Sequence, residues 1–502
     1  MSVARCNHMR YDKSKYIHIE GKNMRKWLKL APQIAVVLAL LGSQMAGAVS
    51  FWTEYDFLWG DNVGDAYSDE FYDVIAVSDG YVAVGKTGGL TPGELSGFGY
   101  ALIAKWNLDG SLAWVKSAGG SSWDLYYSVT AVSDGYIAVG YTSSSDSPDW
   151  GPVNGSSDAL MVKYDFNGNI VWAELYGGSG VDRFVWIEAT NTGLVMTGMS
   201  TSTDAPDWSQ PPASMSYGIL VTSDFAGNVS MSQSVDMFTP MSVAASAAGY
   251  VVVGYAFNPN MPYFGNNGGR DAIIMTFDLA GNFVWGKNEG GTSGDQYNSV
   301  IALADGYVVG GYTEDVNSPY WGYYGGWDDC LIVKYDLSGN IVWADNIGGS
   351  GSEVFYGVGL ASDGIWAVGY SDSTDAAEWS SLNGGIGNGL VVKYDFAGNF
   401  VLAQTIGGSD YDEFFSVVES GDRLIVVGDS YSADAPYWGN NGSYDAVIAV
   451  FELWADMPGV PGSGGGIAER FSGVSSSLAA FAIGALVVSA LGATWCYTNR
   501  SK

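Results

Sequence analysis

The chain has 502 residues, with 53 acidic against 21 basic side chains, a formal net charge of −32, three cysteines and two histidines. So acidic a surface repels phosphate backbones, which excludes nucleic acid as a partner. Both histidines, His8 and His18, lie near the start of the chain, so beyond them Ser-His-Asp and Cys-His catalysis and histidine-ligated zinc, copper or iron sites are excluded.

In chain order, residues 1–23 are polar and patternless, an upstream extension or a mis-assigned start with Met24 as the true one. Residues 24–48 read as a signal peptide: basic Arg25, Lys26 and Lys29, an apolar run from Ile34 to Leu41, then Ala46-Gly47-Ala48 as the cleavage site. Eight of the basic and two of the acidic residues precede residue 49, so the mature chain is still more acidic. Cys6 lies before the leader and Cys496 near the C-terminus. That leaves Cys330 alone in the body and rules out an intramolecular disulfide framework.

Residues 49–457 are repetitive. The phrase DGYxxVGYT begins at Asp79, Asp134, Asn191, Ala248, Asp305, Asp363 and Ser420, spaced 55 to 58 residues apart. A second phrase, VKYDxxGNxVWA, advances with it around Gly110, Gly168, Gly227, Gly281, Gly339 and Gly398. Each unit reads as four short strands with a Gly-Asn hairpin turn, the mark of a propeller blade. The spacing predicts an all-β, seven-bladed β-propeller of four-stranded blades. The last copy lacks the returning GNxVWA strand, and Phe51–Trp59 supplies it from the N-terminal end, with Trp59 20 residues before Asp79 as Trp114 is before Asp134. Closing the last blade with the first strand leaves no open edges.

After the body come a Gly/Pro/Ser stalk at 458–476, a C-terminal transmembrane helix at 477–498 and a basic cytoplasmic tail at 499–502. Leu478 to Tyr497 carries no charge, and at ~1.5 Å per residue it spans a hydrocarbon core of ~30 Å. Arg500 and Lys502 place the C-terminus in the cytoplasm and the propeller outside a single-pass cell membrane anchor.

The segment GYTSSSDSPDWGPVNGSSDALMVKYDFNGNIVWAELYGGSGVDRF resembles the SBBP-type β-propeller repeat of prokaryotic cell-surface proteins. The shared order is a GYT strand, an S-T-D-x-P loop, a G-x-D-A strand, a glycine turn and a G-G-S-G-x-D loop. The likeness covers residues 50 to 455. It departs at 225–240, where the GGSG is missing, and in the tryptophan after the turn. The resemblance implies a fold and a surface location, and no chemistry.

Four sets of residues are candidates. Asp69, Asp124, Asp182, Asp295, Glu353 and Asp412 recur after the Gly-Gly loop and could offer oxygen ligands to calcium, although such repetition favours loop-holding. Asp146, Asp204, Asn260, Asn317, Asp375 and Asp434 look like Asx-turns leading into an extended segment. Trp150, Trp208, Tyr263, Trp321, Trp379 and Trp438 follow, flat faces of the kind that sugar-binding surfaces use and that also wedge between blades, the latter being the expectation here. The aromatic run Tyr320, Trp321, Tyr323, Tyr324 and Trp327 departs furthest from the repeat and is the expected ligand surface for a protein or glycan. Asn154, Asn228 and Asn441 begin glycosylation sequons. A quinone-type cofactor pocket is not legible, and Arg183, Arg270, Arg423 and Arg470 do not make the arginine cluster of a sialidase. No cofactor other than calcium is implied.

These features point to a cell-surface-anchored binding, adhesion or envelope scaffold module rather than an enzyme. The alternative is a carboxylate-dependent hydrolase or lyase acting on glycans, which needs no histidine but does need paired acids at one mouth.

Overall fold

The computed structural model describes residues 55–64, 67–89, 99–209, 216–257, 269–315, 321, 325–379, 386–440 and 443–453. The leader, stalk, apolar C-terminal segment and basic tail lie outside the described residues. Among those residues no helix is long and apolar enough to cross a membrane.

Seven four-stranded antiparallel sheets form the body. Blade 1 consists of Glu70–Val77, Gly80–Thr87, Tyr100–Asn107 and Leu112–Ala118, strands a to d from the innermost outwards. Blades 2 to 6 repeat this order over residues 124–176, 182–236, 238–289, 295–347 and 353–406. Blade 7 takes strands a to c from Asp412–Ser420, Arg423–Ser430 and Asp445–Leu453, and strand d from Tyr55–Val63. That fourth strand runs antiparallel to the third, with Trp59 opposite Val450 and Val63 opposite Ala446. The first strand thus completes the last blade, as the missing repeat element requires. Strand a of blade 1 packs against strand a of blade 2 on one side and of blade 7 on the other, so the ring is closed.

The core sits between blades. Seven apolar clusters fill the seven seams; one joins Ile137 and Met161 of blade 2 to Phe184, Met196 and Trp208 of blade 3. Strands b and c are covered on both faces, hence runs such as Asp158–Tyr164 that are buried throughout. Strand d alternates between half-buried and exposed residues, as an outer edge does.

Two devices fix blade to blade. The strand d tryptophan of one blade lies on the hairpin glycine of the next: Trp114 on Gly168, Trp285 on Gly339, Trp343 on Gly398. A Cβ on Gly168 would lie 2.8 Å from the Trp114 ring, and the backbone there has φ +77°, so the position needs glycine twice over. Blade 6 has Leu402 in place of the tryptophan, and blade 7, built from the two chain ends, has no such hairpin for it to cover.

Nearer the axis, Asp73 of blade 1 accepts from Ser128 Oγ at 2.7 Å in blade 2 and from Ser416 Oγ at 2.9 Å in blade 7. Backbone amides of Val129 and Val74 supply two more donors. One buried carboxylate ties the closing blade to its two successors.

An ion pair internal to blades 1, 2, 5 and 6 joins the two repeat phrases, and the fourth of them, Lys393 with Asp363, lies at 2.9 Å. Nζ of Lys105, Lys163 and Lys334 reaches Asp79, Asp134 and Asp305 at 2.7, 2.6 and 2.8 Å. In blades 3 and 4, Thr192 and Ala248 stand in place of the acid and Thr222 and Thr276 in place of the lysine.

Candidate functional site: the axial mouth between blades 7 and 1

Each recurring acid after the Gly-Gly loop is buried at the head of its own strand a. Asp182 accepts from Ser200 Oγ at 2.5 Å, Ser202 Oγ at 2.6 Å and the Gly178 amide at 2.9 Å. Asp124 is held in the same way by Thr142, Ser144 and Gly120. Asp412 is held by Ser430, Ser432 and Gly408. Glu353 accepts from Ser371 and Gly349, Asp295 from Gly291, and Asp69 from Gly88. The six sit in six different blades, and each binds its own loop. Blade 4, where the loop is three residues shorter, has Phe238 in this place and Ala256 opposite it, so acid and hydroxyl are lost together. Among the described residues no group of three or more His, Cys, Asp or Glu could hold a metal ion.

The second set holds loops by a longer reach than a local Asx-turn. Asp146, Asp204, Asp375 and Asp434 accept the amides of Ser121, Ser179, Ser350 and Ser409, each in the loop that enters the same blade. These bonds hold all four carboxyls below their usual range. Asn260 and Asn317 lie outside the described residues.

Trp208, Trp321, Trp379 and Trp438 are buried, and Trp150 and Trp321 donate their indole N–H to Thr142 and Thr313. Trp321 is therefore part of the seam between blades 4 and 5. Trp327 is 79% exposed, while Tyr320, Tyr323, Tyr324 and Tyr263 lie outside the described residues. Asn154 and Asn228 are exposed, with their side-chain amides donating to Asp158 and Asp224; Asn441 lies outside the described residues.

A constellation that the repeat does not announce lies near the axis. Every strand a carries a bulge, which turns out one residue per blade: Tyr72, Tyr127, Val185, Met241, Asn298, Tyr356 and Phe415. Around blades 6, 7, 1 and 2 these are aromatic and touch ring to ring. Tyr356–Phe415, Phe415–Tyr72 and Tyr72–Tyr127 have centroids 5.1, 5.6 and 5.4 Å apart.

Just before each bulge, strands a and b oppose one pair of side chains. In blades 1 to 7 the pairs are Glu70–Lys86, Leu125–Tyr141, Arg183–Met199, Thr239–Tyr255, Gln296–Tyr312, Val354–Tyr370 and Glu413–Asp429. Only blade 7 opposes two acids. Glu70 of the adjoining blade comes close enough to act on both, and its own charge is met by Lys86 at 2.8 Å and by the Tyr72 hydroxyl. Tyr444 lies near enough to the acids to feel Asp429, Glu413 and Glu70, and its ring is 5.1 Å from that of Tyr431.

Burial pushes Glu413 up to about 7, with the Tyr356 hydroxyl pulling it down and Glu70 pushing it up. Asp429, 5% exposed, is held well above the usual carboxylate range, first by burial, then by Glu413 and Glu70, with Lys86 opposing. Its Oδ1 is buried with no hydrogen-bond partner. Two directly opposed carboxylates, one of them orphaned, destabilise a sheet.

A groove of about 550 Å³ also opens between blades 3 and 4, lined by Thr190, Thr192, Thr222, Ser230, Met231 and Tyr250. It lies where Thr222 stands in place of the blade's lysine and Met231 in place of its strand d tryptophan, and these lining side chains carry no charge.

No protein-family model matches the sequence, and no curated protein does. Among solved structures, the chain is similar to the WD40 β-propeller domain of Doa1, at 10% identity and a TM-score of 0.47 over 80% of this chain and 98% of that one. It is also similar to BamB from Moraxella catarrhalis, at 10% identity and a TM-score of 0.39 over 79% and 99% of the two chains. A puromycin hydrolase matches at 14% identity and a TM-score of 0.40, over 74% of this chain and 53% of that one.

Proposed function

We propose that this chain is a cell-surface-anchored binding, adhesion or envelope scaffold module that takes its ligand at the axial mouth between blades 7 and 1. The observation that carries the site is the Glu413–Asp429 pair: none of the other six blades opposes two like charges there, and this one keeps two acids together at a cost in stability. A residue pair that weakens the fold is kept for something other than the fold. The leader, the Gly/Pro/Ser stalk, the uncharged segment 478–497 and the likeness to SBBP-type repeats support display outside a membrane.

The six repeated carboxylates give no support to a glycan hydrolase or lyase, since they sit in six different blades and each accepts an amide of its own blade, four of them hydroxyls as well. For the same reason the binding role calls for no calcium.

Two assays test the reading. Protease shaving of intact cells making the full chain should remove the propeller; protection would contradict surface display. Adhesion of such cells to envelope polysaccharide and protein surfaces should fall in Glu413→Gln/Asp429→Asn and persist in a groove variant such as Thr190→Ala. Unchanged adhesion in the acid variant would contradict the site.

A further inference from the structure

We infer that the mouth between blades 7 and 1 binds an organic cation, a primary ammonium on an alkyl stem, seated on Glu413 and Asp429 between aromatic rings. The inference rests on the mouth being the binding site and names the chemistry of what binds there.

Charge comes first. Glu70, Glu413 and Asp429 converge where one cation, Lys86, is already engaged with Glu70 at 2.8 Å. Asp429 makes no ion pair with Lys86 and is 5% exposed, with a buried Oδ1 that meets no donor. A buried carboxylate oxygen without a donor is costly, and an incoming N–H would remove that cost.

The choice of ammonium over metal follows from spacing and surroundings. No three acidic side chains among the described residues could hold a metal ion. An ammonium makes up to three separate hydrogen bonds and tolerates carboxylates that are spread apart. Its alkyl stem also needs apolar cover on the way in, and Tyr444, near the acids, with Tyr431, 42% exposed, packed beside it, offers flat faces.

The molecule already shows this recognition with its own cations, Lys105 over Tyr136 and Lys393 over Trp366 among them. Lys86 Nζ lies 5.6 Å from the centroid of Trp123. Across blades 4 and 5, Arg270 stands 5.3 and 5.0 Å from Tyr255 and Tyr312, with Glu314 at 3.7 Å. Tyr255 and Tyr312 hold the same strand b position as Asp429. At blades 4 and 5 the chain supplies its own cation at the ring; at blade 7 the acids are present without one.

The source of the ammonium is either a lysine side chain of a peptide or a free polyamine, and one titration series separates them. The full-length chain in detergent micelles is titrated with a lysine-rich peptide, the same peptide acetylated on its lysines, spermidine, calcium chloride and a neutral oligosaccharide. The peptide or spermidine should bind, the tighter of the two naming the source, and acetylation should abolish peptide binding. Asp429→Asn and Glu413→Gln should each weaken binding about tenfold or more, the loss of one charged hydrogen bond, with the melting temperature confirming that both stay folded. Undiminished binding of the acetylated peptide, equal binding by the variants, or binding of calcium alone would overturn the inference. Binding of the oligosaccharide alone, lost in the same variants, would also overturn it while leaving the mouth as the binding site. If no probe binds, the inference falls, and the adhesion assay still decides the wider reading.

Discussion

Asp182 shows how a single residue type serves two purposes in this chain. It stands in a cradle of two serine hydroxyls and an amide, so its carboxylate builds a loop. Asp182→Ala would leave Ser202 and the Gly178 amide without their acceptor, at about 1–3 kcal/mol each, while Ser200 could still turn to the Tyr217 hydroxyl at 2.9 Å. The melting temperature of that variant should drop by several degrees, whereas EDTA should leave the wild-type value unchanged. A calcium-dependent melting temperature would mean that the loops are held by metal. The acids and their spacing were legible in the sequence because they repeat. Their partners were not, since Ser200 and Ser202 lie 18 and 20 residues further on, and only strand pairing brings them back. Asp429 was illegible for the opposite reason. It appears once, and its meaning depends on a register fixed by the bulge between Phe414 and Ser416.

Among the elements, the strand Tyr55–Val63 bears most on the fold. It lies at the opposite end of the body from its blade, yet pairs with Asp445–Leu453 along its whole length apart from one register shift. Its place was readable because the last repeat lacks a strand and the first segment supplies one. Deleting residues 55–63 should expose the edge of Asp445–Leu453 and part of the apolar seam between blades 7 and 1, giving a broader, earlier melting transition and concentration-dependent aggregation. A transition as sharp and as high as that of the full chain would contradict closure by this strand. The hairpin turns offer a milder test. Gly168→Ala combines a positive φ with contact on Trp114, so it should cost about 1 kcal/mol or more; a neutral result would mean that the tryptophan gives way. The altered hairpin and loop of blades 3 and 4, by contrast, could be seen in the sequence only as a missing GGSG. Their consequence, Phe238 set against Ala256, follows from packing that had to be observed.

On the scale of the whole molecule, seven nearly equivalent sheets make a scaffold in which each seam carries its own core. Specificity then lies in departures from equivalence, and the largest in charge is at the mouth. Glu413 and Asp429 both have carboxyls raised by burial, so folding opposes their ionisation. For Glu413 that penalty is fully present above pH about 7 and fades as pH falls from the folded value of about 7 toward the ordinary glutamate value near 4.5, and Asp429 adds a penalty of the same sign. The melting temperature should therefore rise as pH is lowered from 8 to 5.5. Burial raises Glu289 to about 7 and Asp73 and Asp295 to about 6, so they add to the same trend. In Glu413→Gln/Asp429→Asn the slope should be shallower but not abolished.

The most direct test of the account sets stability against binding in that double variant at pH 8. If the opposed acids are kept for a ligand, the variant should melt higher than the wild type and lose adhesion to its surface ligand. A variant that melts lower, or that binds as well as the wild type, would contradict the assignment of the mouth as the functional site.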